Sequence, residues 1–259
     1  MPLVLLMVRA AVLATVLFLL SQHAQALYPT PTFNPAPWRG HGVVPVIHNL
    51  ETFQVPYIID ALEGFKCCTV SLRHATALDA LKEMVEQFGP YCAVGASTVV
   101  SEAQVQLAHA HGAAFVSTMF NAEALHAAAT AHSMPILCGV TSHRESSTAL
   151  VWGADALKFY PSTAISPAQL RDVLQRLTDT NRDCAFGKGP GGELPLGADF
   201  VDVVVAGGVR EEDFASYVAA GANGFAIGLD CKLMTPKQMR QKLKELKTMY
   251  ELASEPCLR

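Results

Sequence analysis

The residues with the clearest chemical potential are Lys158-Phe159-Tyr160-Pro161, which close a short apolar run that begins at Ala156. A lysine in such a run is either turned out to water or held inside, and burial disfavours its charged ammonium form. A neutral amine is the nucleophile that forms a Schiff base with a carbonyl carbon. The tetrad alone leaves both alternatives open, a lysine that reaches water at a sheet edge and a reactive amine in a site.

The composition predicts a large globular domain that binds a small molecule. Of the 259 residues, 51% are hydrophobic and 16% charged, which is enough to bury the core of one α/β domain. The net charge of −4, without a Lys/Arg-rich tract, argues against a nucleic-acid partner. An anionic ligand would therefore need a local site. The seven cysteines show no C-x-x-C or Cys/His spacing, so no metal site is predicted.

The N-terminus predicts a targeting segment. Arg9 is the only charged residue among the first 20, and Ala24-Gln25-Ala26 gives the small-x-small pattern of a cleavage site. We therefore expect residues 1–26 to be a signal peptide that enters the secretory route. The final compartment stays open between an organelle such as a plastid and secretion. An uncleaved leader would be the chain's one membrane contact. Residues 27–42, rich in Pro and Gly, are predicted to be a linker.

From residue 43 onward, short apolar runs alternate with helical patterns. Eight such repeats favour a closed (β/α)8 TIM barrel over residues 43–252, with 253–259 as a C-terminal tail. An open doubly wound sheet is the alternative. It would favour a glycine-rich loop after the first strand, where His48-Asn49-Leu50 stands instead. The predicted strands are Val43–His48, Lys66–Leu72, Tyr91–Thr98, Ala114–Met119, Pro135–Val140, Ala156–Pro161, Phe200–Gly208 and Gly224–Leu229.

Local signals predict where several helices begin and end. Asn121 is expected to cap a helix that runs through His132, and Ser166-Pro167 to open another. The stretch Thr178–Asp199 is expected to be a long loop on the non-catalytic side of the barrel. Glycines are expected to end four helices in left-handed caps, at Gly64, Gly112, Gly153 and Gly221.

In such a barrel, ligands bind at the carboxyl ends of the strands. This places Lys158 inside the barrel, so we expect its pKa to be lowered toward neutrality. Gly207-Gly208 precede a helix expected to begin near Arg210-Glu211, and their amides predict an anion site. The same rule nominates further residues at strand ends, which are His48, Arg73, Thr98, Thr118, Ser142 and Gly228.

Four segments in this order resemble the KDPG aldolase family, which includes the 4-hydroxy-2-oxoglutarate (KHG) and 2-dehydro-3-deoxy-6-phosphogalactonate aldolases. They are Ser71-Leu72-Arg73, Gly95-Ala96-Ser97-Thr98-Val99, Ala156–Pro161 and Ala206-Gly207-Gly208-Val209, and the resemblance covers residues 43–251. The resemblance implies a class I aldolase on a (β/α)8 barrel that is a homotrimer without metal or cofactor. Its substrate would be a keto acid or sugar acid phosphate.

The resemblance also implies roles for single residues. Lys158 would form a Schiff base and cleave a 2-keto-3-deoxy sugar acid phosphate such as KDPG to pyruvate and glyceraldehyde 3-phosphate. Arg73 and Thr98 would hold the pyruvate carboxylate and nearby oxygens, and Tyr160 would pack beside the substrate. Ser142 is a further substrate-binding candidate. The phosphate would be held by Gly207, Gly208 and Gly228.

Several positions depart from the family's pattern, and one of them bears directly on catalysis. A glutamate that shuttles protons in the family is Thr69 here, and a threonine hydroxyl is a poor general base near neutral pH. His48, at the end of the first strand, is a candidate substitute base. Three hypotheses follow: an aldolase with altered proton transfer, a non-catalytic paralogue that binds a keto acid or phosphate, and a phosphate-binding barrel synthase without imine chemistry.

Overall fold

The computed structural model describes residues 37–74, 76–183 and 202–254. The predicted leader, most of the predicted linker, residues 184–199 of the predicted loop and most of the C-terminal tail lie outside this range, so the proposed division of the chain stays a prediction. Within the described residues, no helix combines the length and apolar character needed to cross a lipid bilayer.

The described strands form one closed parallel barrel in chain order, β1 to β8, in which β8 pairs with β1. This confirms the predicted (β/α)8 architecture. The strand boundaries differ from the predicted ones by at most two residues, because nearly continuous apolar runs mark strands buried on both faces. The strands are β1 Gly42–His48, β2 Cys67–Ser71, β3 Ala93–Val99, β4 Val116–Thr118, β5 Ile136–Val140, β6 Ala156–Phe159, β7 Asp202–Ala206 and β8 Gly224–Asp230.

A helix follows each strand, and the predicted glycine caps are confirmed. Each of the four glycines has a positive φ, between +78° and +109°, which favours a residue without Cβ. The helices are α1 Val55–Ala61, α2 Ala77–Phe88, α3 Glu102–Ala110, α4 Glu123–Ala131, α5 His143–Val151, α6 Pro167–Asp183, α7 Phe214–Ala219 and α8 Pro236–Ser254.

Two of the predicted helix boundaries are wrong and one is confirmed. Ser166 accepts the N–H of Gln169 (3.3 Å) and caps α6 as expected. Asn121 does not cap α4, since Ala122 holds that position and the Asn121 side chain bonds the Glu145 carbonyl and the His126 ring instead of a first-turn amide. The predicted loop at Thr178–Asp199 begins too early, because α6 continues to Asp183. Neither proline nor glycine interrupts the sequence over that stretch.

Side chains that point into the barrel differ between its two ends. Near the strand N-termini they form an apolar cluster that includes Val44, Leu137 and Ala156. Trp38 precedes β1, is buried in this cluster, and lies edge-on to Phe115 with 5.1 Å between ring centroids. These rings close the lower end of the barrel. Toward the strand C-termini the inward residues become polar.

Candidate active site

A cavity of about 360 Å³ opens at the C-terminal ends of the strands, where ligands bind in this fold. It brings together most of the site residues predicted from sequence. The side chains are His48, Arg73, Thr98, Lys158 and Tyr160, and the glycines are Gly207, Gly208 and Gly228. Thr69 and Ser142 do not line it.

Lys158 lies on the inner face of β6 and is 5% exposed. Its Nζ donates a hydrogen bond to Ser117 Oγ (2.8 Å) and lies 5.6 Å from the centroid of the Tyr160 ring. None of the described carboxylates forms an ion pair with it. Burial lowers the pKa of Lys158 to about 8. About one-tenth of the amine is then neutral at pH 7.

The end of β6 is fitted closely to the glycine pair. A Cβ on Gly207 would lie 2.5 Å from the Tyr160 ring, so only glycine allows the ring to lie there. Gly207 and Gly208 have φ values of +77° and +81°, which glycine adopts without strain. The position of the Tyr160 ring beside Lys158 therefore depends on glycine at position 207.

Thr98 has an unusual backbone for a β-branched residue, with φ at +62°. The register of β3 with β4 shifts at this point, which marks a bulge. The Thr98 hydroxyl lies 2.8 Å from the Ser71 hydroxyl. Strained backbone of this kind clusters at functional sites. It places the Thr98 side chain at the cavity.

Thr69, the position of the family's glutamate, is 1% exposed and lines no part of the cavity. Its Oγ1 has no hydrogen-bond partner among the described residues, and neither does Oγ of Ser97, which is also buried. Together with Ser117, these hydroxyls make the upper barrel interior polar but uncharged. A carboxylate that would move protons beside Lys158 is absent from the described residues lining the cavity.

His48 and Arg73 lie at the mouth of the cavity. Burial lowers the pKa of His48 below 6.5, and the positive charge of Arg73 lowers it further while Asp230 opposes the shift. The imidazole is therefore neutral at pH 7. Its ring rests on Gly228, where a Cβ would lie 3.2 Å from Nε2. Arg73 is exposed and has no hydrogen bond or ion pair among the described residues.

Two predicted strand-end residues have structural partners instead. The Ser142 hydroxyl accepts the N–H of Glu145 (3.3 Å) and caps α5, so it is directed at a helix and not at the cavity. The Thr118 hydroxyl accepts the N–H of Gly139 (3.1 Å) on the outer side of the barrel. Both short hydroxyl side chains are used to satisfy backbone amides.

The predicted anion site at the helix after the glycine pair is not supported. α7 has only six residues, and the turn before it carries the carboxylates of Glu211, Glu212 and Asp213. Arg210 pairs with Glu212 (2.7 Å) and Asp213 (2.8 Å). Negative charge at a helix start opposes an anion there. The glycine amides remain available.

The cavity also contains residues that sequence reasoning did not single out. Ser117 holds the amine of Lys158, and Lys242 reaches the cavity from α8. Alternation along β4 could have indicated Ser117, because Phe115 and Met119, two positions away, also point inward. Nothing in the local sequence of Lys242 sets it apart from the other lysines of α8. Among the described residues, no group of three or more His, Cys, Asp or Glu residues is arranged to bind a metal ion.

Comparison with known proteins is consistent with this site. The family model described as "Aldolase: KDPG and KHG aldolase" matches residues 37–183. The chain is 26% identical over 197 residues to a probable 2-dehydro-3-deoxy-6-phosphogalactonate aldolase of Rhizobium meliloti (strain 1021), covering 75% of this chain and 83% of the relative. It is also 26% identical over 173 residues to the 2-dehydro-3-deoxy-6-phosphogalactonate aldolase of Escherichia coli (strain K12), covering 67% and 74%.

A solved structure described as "Native KDPGal structure" superimposes with a TM-score of 0.71 at 21% identity, covering 83% of this chain and 96% of that chain. At this identity the likeness shows the fold alone. The family match, in contrast, spans more than half of the chain and includes Thr69, Arg73, Thr98 and Lys158. The chain therefore belongs to the KDPG and KHG aldolase family of carbon–carbon lyases.

Proposed function

We propose that the chain is a class I aldolase in which Lys158 forms a Schiff base with the keto group of its substrate. The substrate is a 2-keto-3-deoxy sugar acid phosphate such as KDPG, cleaved to pyruvate and glyceraldehyde 3-phosphate. The observation that carries this proposal is the buried amine of Lys158. It faces the cavity, no carboxylate of the described part of the chain pairs with it, and burial lowers its pKa to about 8.

The reaction follows from an imine at Lys158. The neutral amine attacks the C2 carbonyl, and loss of water from the carbinolamine gives the imine. A base removes the proton of the C4 hydroxyl, the C3–C4 bond breaks, and its electron pair moves toward the imine nitrogen. The aldehyde leaves and an enamine remains. Protonation at C3 and hydrolysis then release pyruvate and regenerate the amine.

We assign the proton transfers to His48. Its imidazole lines the cavity and is neutral at pH 7, which is the form that accepts a proton. Thr69 lacks a group that ionises near neutral pH, and its buried hydroxyl does not line the cavity.

Different protein groups suit the two anionic ends of the substrate, side chains for the carboxylate and backbone amides for the phosphate. Arg73 is exposed and pairs with no carboxylate in the described ranges, so it suits the substrate carboxylate, and the Thr98 hydroxyl lies at the same cavity. The backbone amides of Gly207, Gly208 and Gly228 suit the phosphate.

Borohydride reduction in the presence of pyruvate tests the imine. We expect mass spectrometry to find one reduced pyruvyl adduct, on Lys158, and a trapping rate that rises with pH up to about 8 as the amine loses its proton. Lys82, exposed on α2, serves as an internal control that remains unmodified. A folded protein without an adduct at Lys158 would overturn the proposal. An adduct without cleavage of any sugar acid phosphate would limit the proposed function to keto-acid binding.

Assays with two epimeric sugar acid phosphates narrow the choice of substrate. The Rhizobium and Escherichia relatives are named for phosphogalactonate, whereas a Treponema pallidum relative, 32% identical over 114 residues, is named for 2-dehydro-3-deoxy-phosphogluconate. We expect cleavage of at least one of these two C4 epimers, measured as pyruvate release. Absence of both activities with an intact pyruvate adduct would point to another aldehyde partner.

We further propose that residues 1–26 direct the chain into the secretory route and that the mature protein is a homotrimer. Support for the leader is its sequence pattern, and support for the trimer is the family resemblance. N-terminal sequencing of the mature protein should begin after Ala26, and light scattering should give three times the mass of one chain. A retained leader or a monomer would contradict the respective proposal.

A further inference from the structure

Lys242 extends from α8 to the cavity. It is half-buried, and it lines the same cavity as Gly207, Gly208 and Gly228. No hydrogen bond or ion pair involves its ammonium group among the described residues. A half-buried lysine without an acidic partner, directed at a cavity, presents an uncompensated positive charge to whatever binds there.

The neighbouring basic residues cannot take this role because they are already paired. Arg240, two positions earlier on α8, binds Asp60, and Arg210, after the glycine pair, binds Glu212 and Asp213. The carboxylates around Arg210 also leave that turn net negative. The glycine amides alone offer only dipoles to a phosphate that carries close to two negative charges.

The remaining cations of the cavity have other positions in the proposed reaction. Lys158 becomes the imine, and Arg73 follows β2, a strand separated by β1 from the one that carries Gly228. Three lysine or arginine residues line the cavity in the described part of the chain, and of these Lys242 remains available for the phosphate. An ammonium group binds phosphate as a compact point charge.

We infer that Lys242 binds the substrate phosphate together with the amides of Gly207, Gly208 and Gly228, and that it makes the enzyme prefer phosphorylated substrates. This inference rests on the proposed aldolase function only for the identity of the substrate. Phosphate binding at Lys242 does not depend on imine formation at Lys158.

The test replaces Lys242 while keeping its apolar stem. Lys242→Met should raise KM for the phosphorylated sugar acid by about tenfold to a hundredfold, since charge-assisted hydrogen bonds are lost. It should leave kcat, and the kcat/KM of the unphosphorylated sugar acid, nearly unchanged. Lys242→Arg should recover most of the affinity. Lys244→Met, on the same helix at an exposed position, is the matched control and should behave like the wild type.

Titration calorimetry with inorganic phosphate gives a second measurement that needs no turnover. We expect Lys242→Met to weaken phosphate binding, whereas Lys244→Met and Lys158→Met do not. Equal losses for phosphorylated and unphosphorylated substrates, or unchanged phosphate affinity in Lys242→Met, would overturn the inference. Wild-type protein that shows no pyruvate adduct but binds phosphate through Lys242 would sink the aldolase proposal and leave this inference standing.

Discussion

Two buried clusters with reactive side chains lie back to back on the same part of the barrel wall. On the inner face, Lys158 of β6 donates to Ser117 and faces the cavity. On the outer face, the Cys138 thiol of β5 lies 3.4 Å from His126 Nε2 and 3.3 Å from Asn121 Oδ1. By residue type, the outer cluster resembles the nucleophile, base and orienting amide of a thiol hydrolase.

Burial has opposite consequences for the two nucleophiles. It raises the pKa of the Cys138 thiol to about 11 and lowers the pKa of His126 to about 4, so both are neutral at pH 7. A cysteine reacts as the thiolate, and burial suppresses that form. A lysine reacts as the neutral amine, and burial promotes that form. Burial in the same barrel wall therefore keeps Cys138 in its unreactive thiol form and favours the reactive neutral amine of Lys158.

Replacing Lys158 should produce the largest effect. Lys158→Met should abolish the pyruvate adduct and all measurable cleavage. It should also stabilise the fold by on the order of 3 kcal/mol at pH 7, because the folded-state pKa of about 8 lies below the unfolded value of 10.5. Between pH 8 and pH 10.5 the unfolded chain binds one proton more than the folded chain, so the stability of the wild type rises with pH in this window. The stability advantage of the variant over the wild type therefore shrinks toward pH 10.5. Urea unfolding at pH 7 and pH 10 measures it, and a less stable variant at pH 7 would contradict the account.

Removing the proposed base should be the next largest effect. His48→Gln should lower kcat about a hundredfold while pyruvate trapping on Lys158 persists. His74→Gln is the control, because this exposed neighbour does not line the cavity. Steady-state kinetics that show no change in His48→Gln would assign the proton transfers to another group.

Changing the outer cluster should affect stability but not chemistry. His126→Leu should cost about 1–3 kcal/mol at pH 7, because it removes the buried hydrogen bond between the His126 ring and Asn121 Oδ1. Wild-type stability should fall by up to about 3 kcal/mol as pH drops from 6.5 through 4, since only the unfolded histidine is protonated in that window. The variant should lack this slope in unfolding measurements. A changed kcat in His126→Leu would contradict the prediction that the outer cluster takes no part in the reaction.

The smallest effect is expected for the thiol itself. Cys138→Ala should change kcat less than about twofold and cost about 1 kcal/mol of stability. In the native protein, Cys138 should resist a thiol reagent that modifies it rapidly after unfolding, because it is fully buried and protonated. Fast alkylation with loss of activity would place Cys138 in the reaction.

The sequence allowed the barrel to be predicted because its signals are local. Apolar runs marked the strands, and glycines marked where helices end. The position of Lys158 near the carboxyl end of the sixth strand followed from counting repeats.

The sites of short polar side chains were harder to predict, because serine, threonine and asparagine serve equally as caps, backbone partners and ligands. Ser142 caps a helix, whereas Asn121, which was expected to cap one, bonds the Glu145 carbonyl and the His126 ring. Only tertiary neighbours decide between these uses. Lys242 illustrates the same limit, since its role depends on a cavity formed by distant strands. The left-handed backbone of Thr98 runs against the preference of a β-branched residue.

The contact between Trp38 and Phe115 has a kinetic consequence. Among the described residues, these rings close the barrel below Lys158, at the end opposite the cavity mouth. In the proposed reaction, pyruvate is covalently held on Lys158, and the aldehyde fragment, bound toward the phosphate seat, blocks the way out. The aldehyde must therefore depart first and pyruvate last. Pyruvate should then inhibit competitively against the sugar acid, and the aldehyde should inhibit in a mixed pattern.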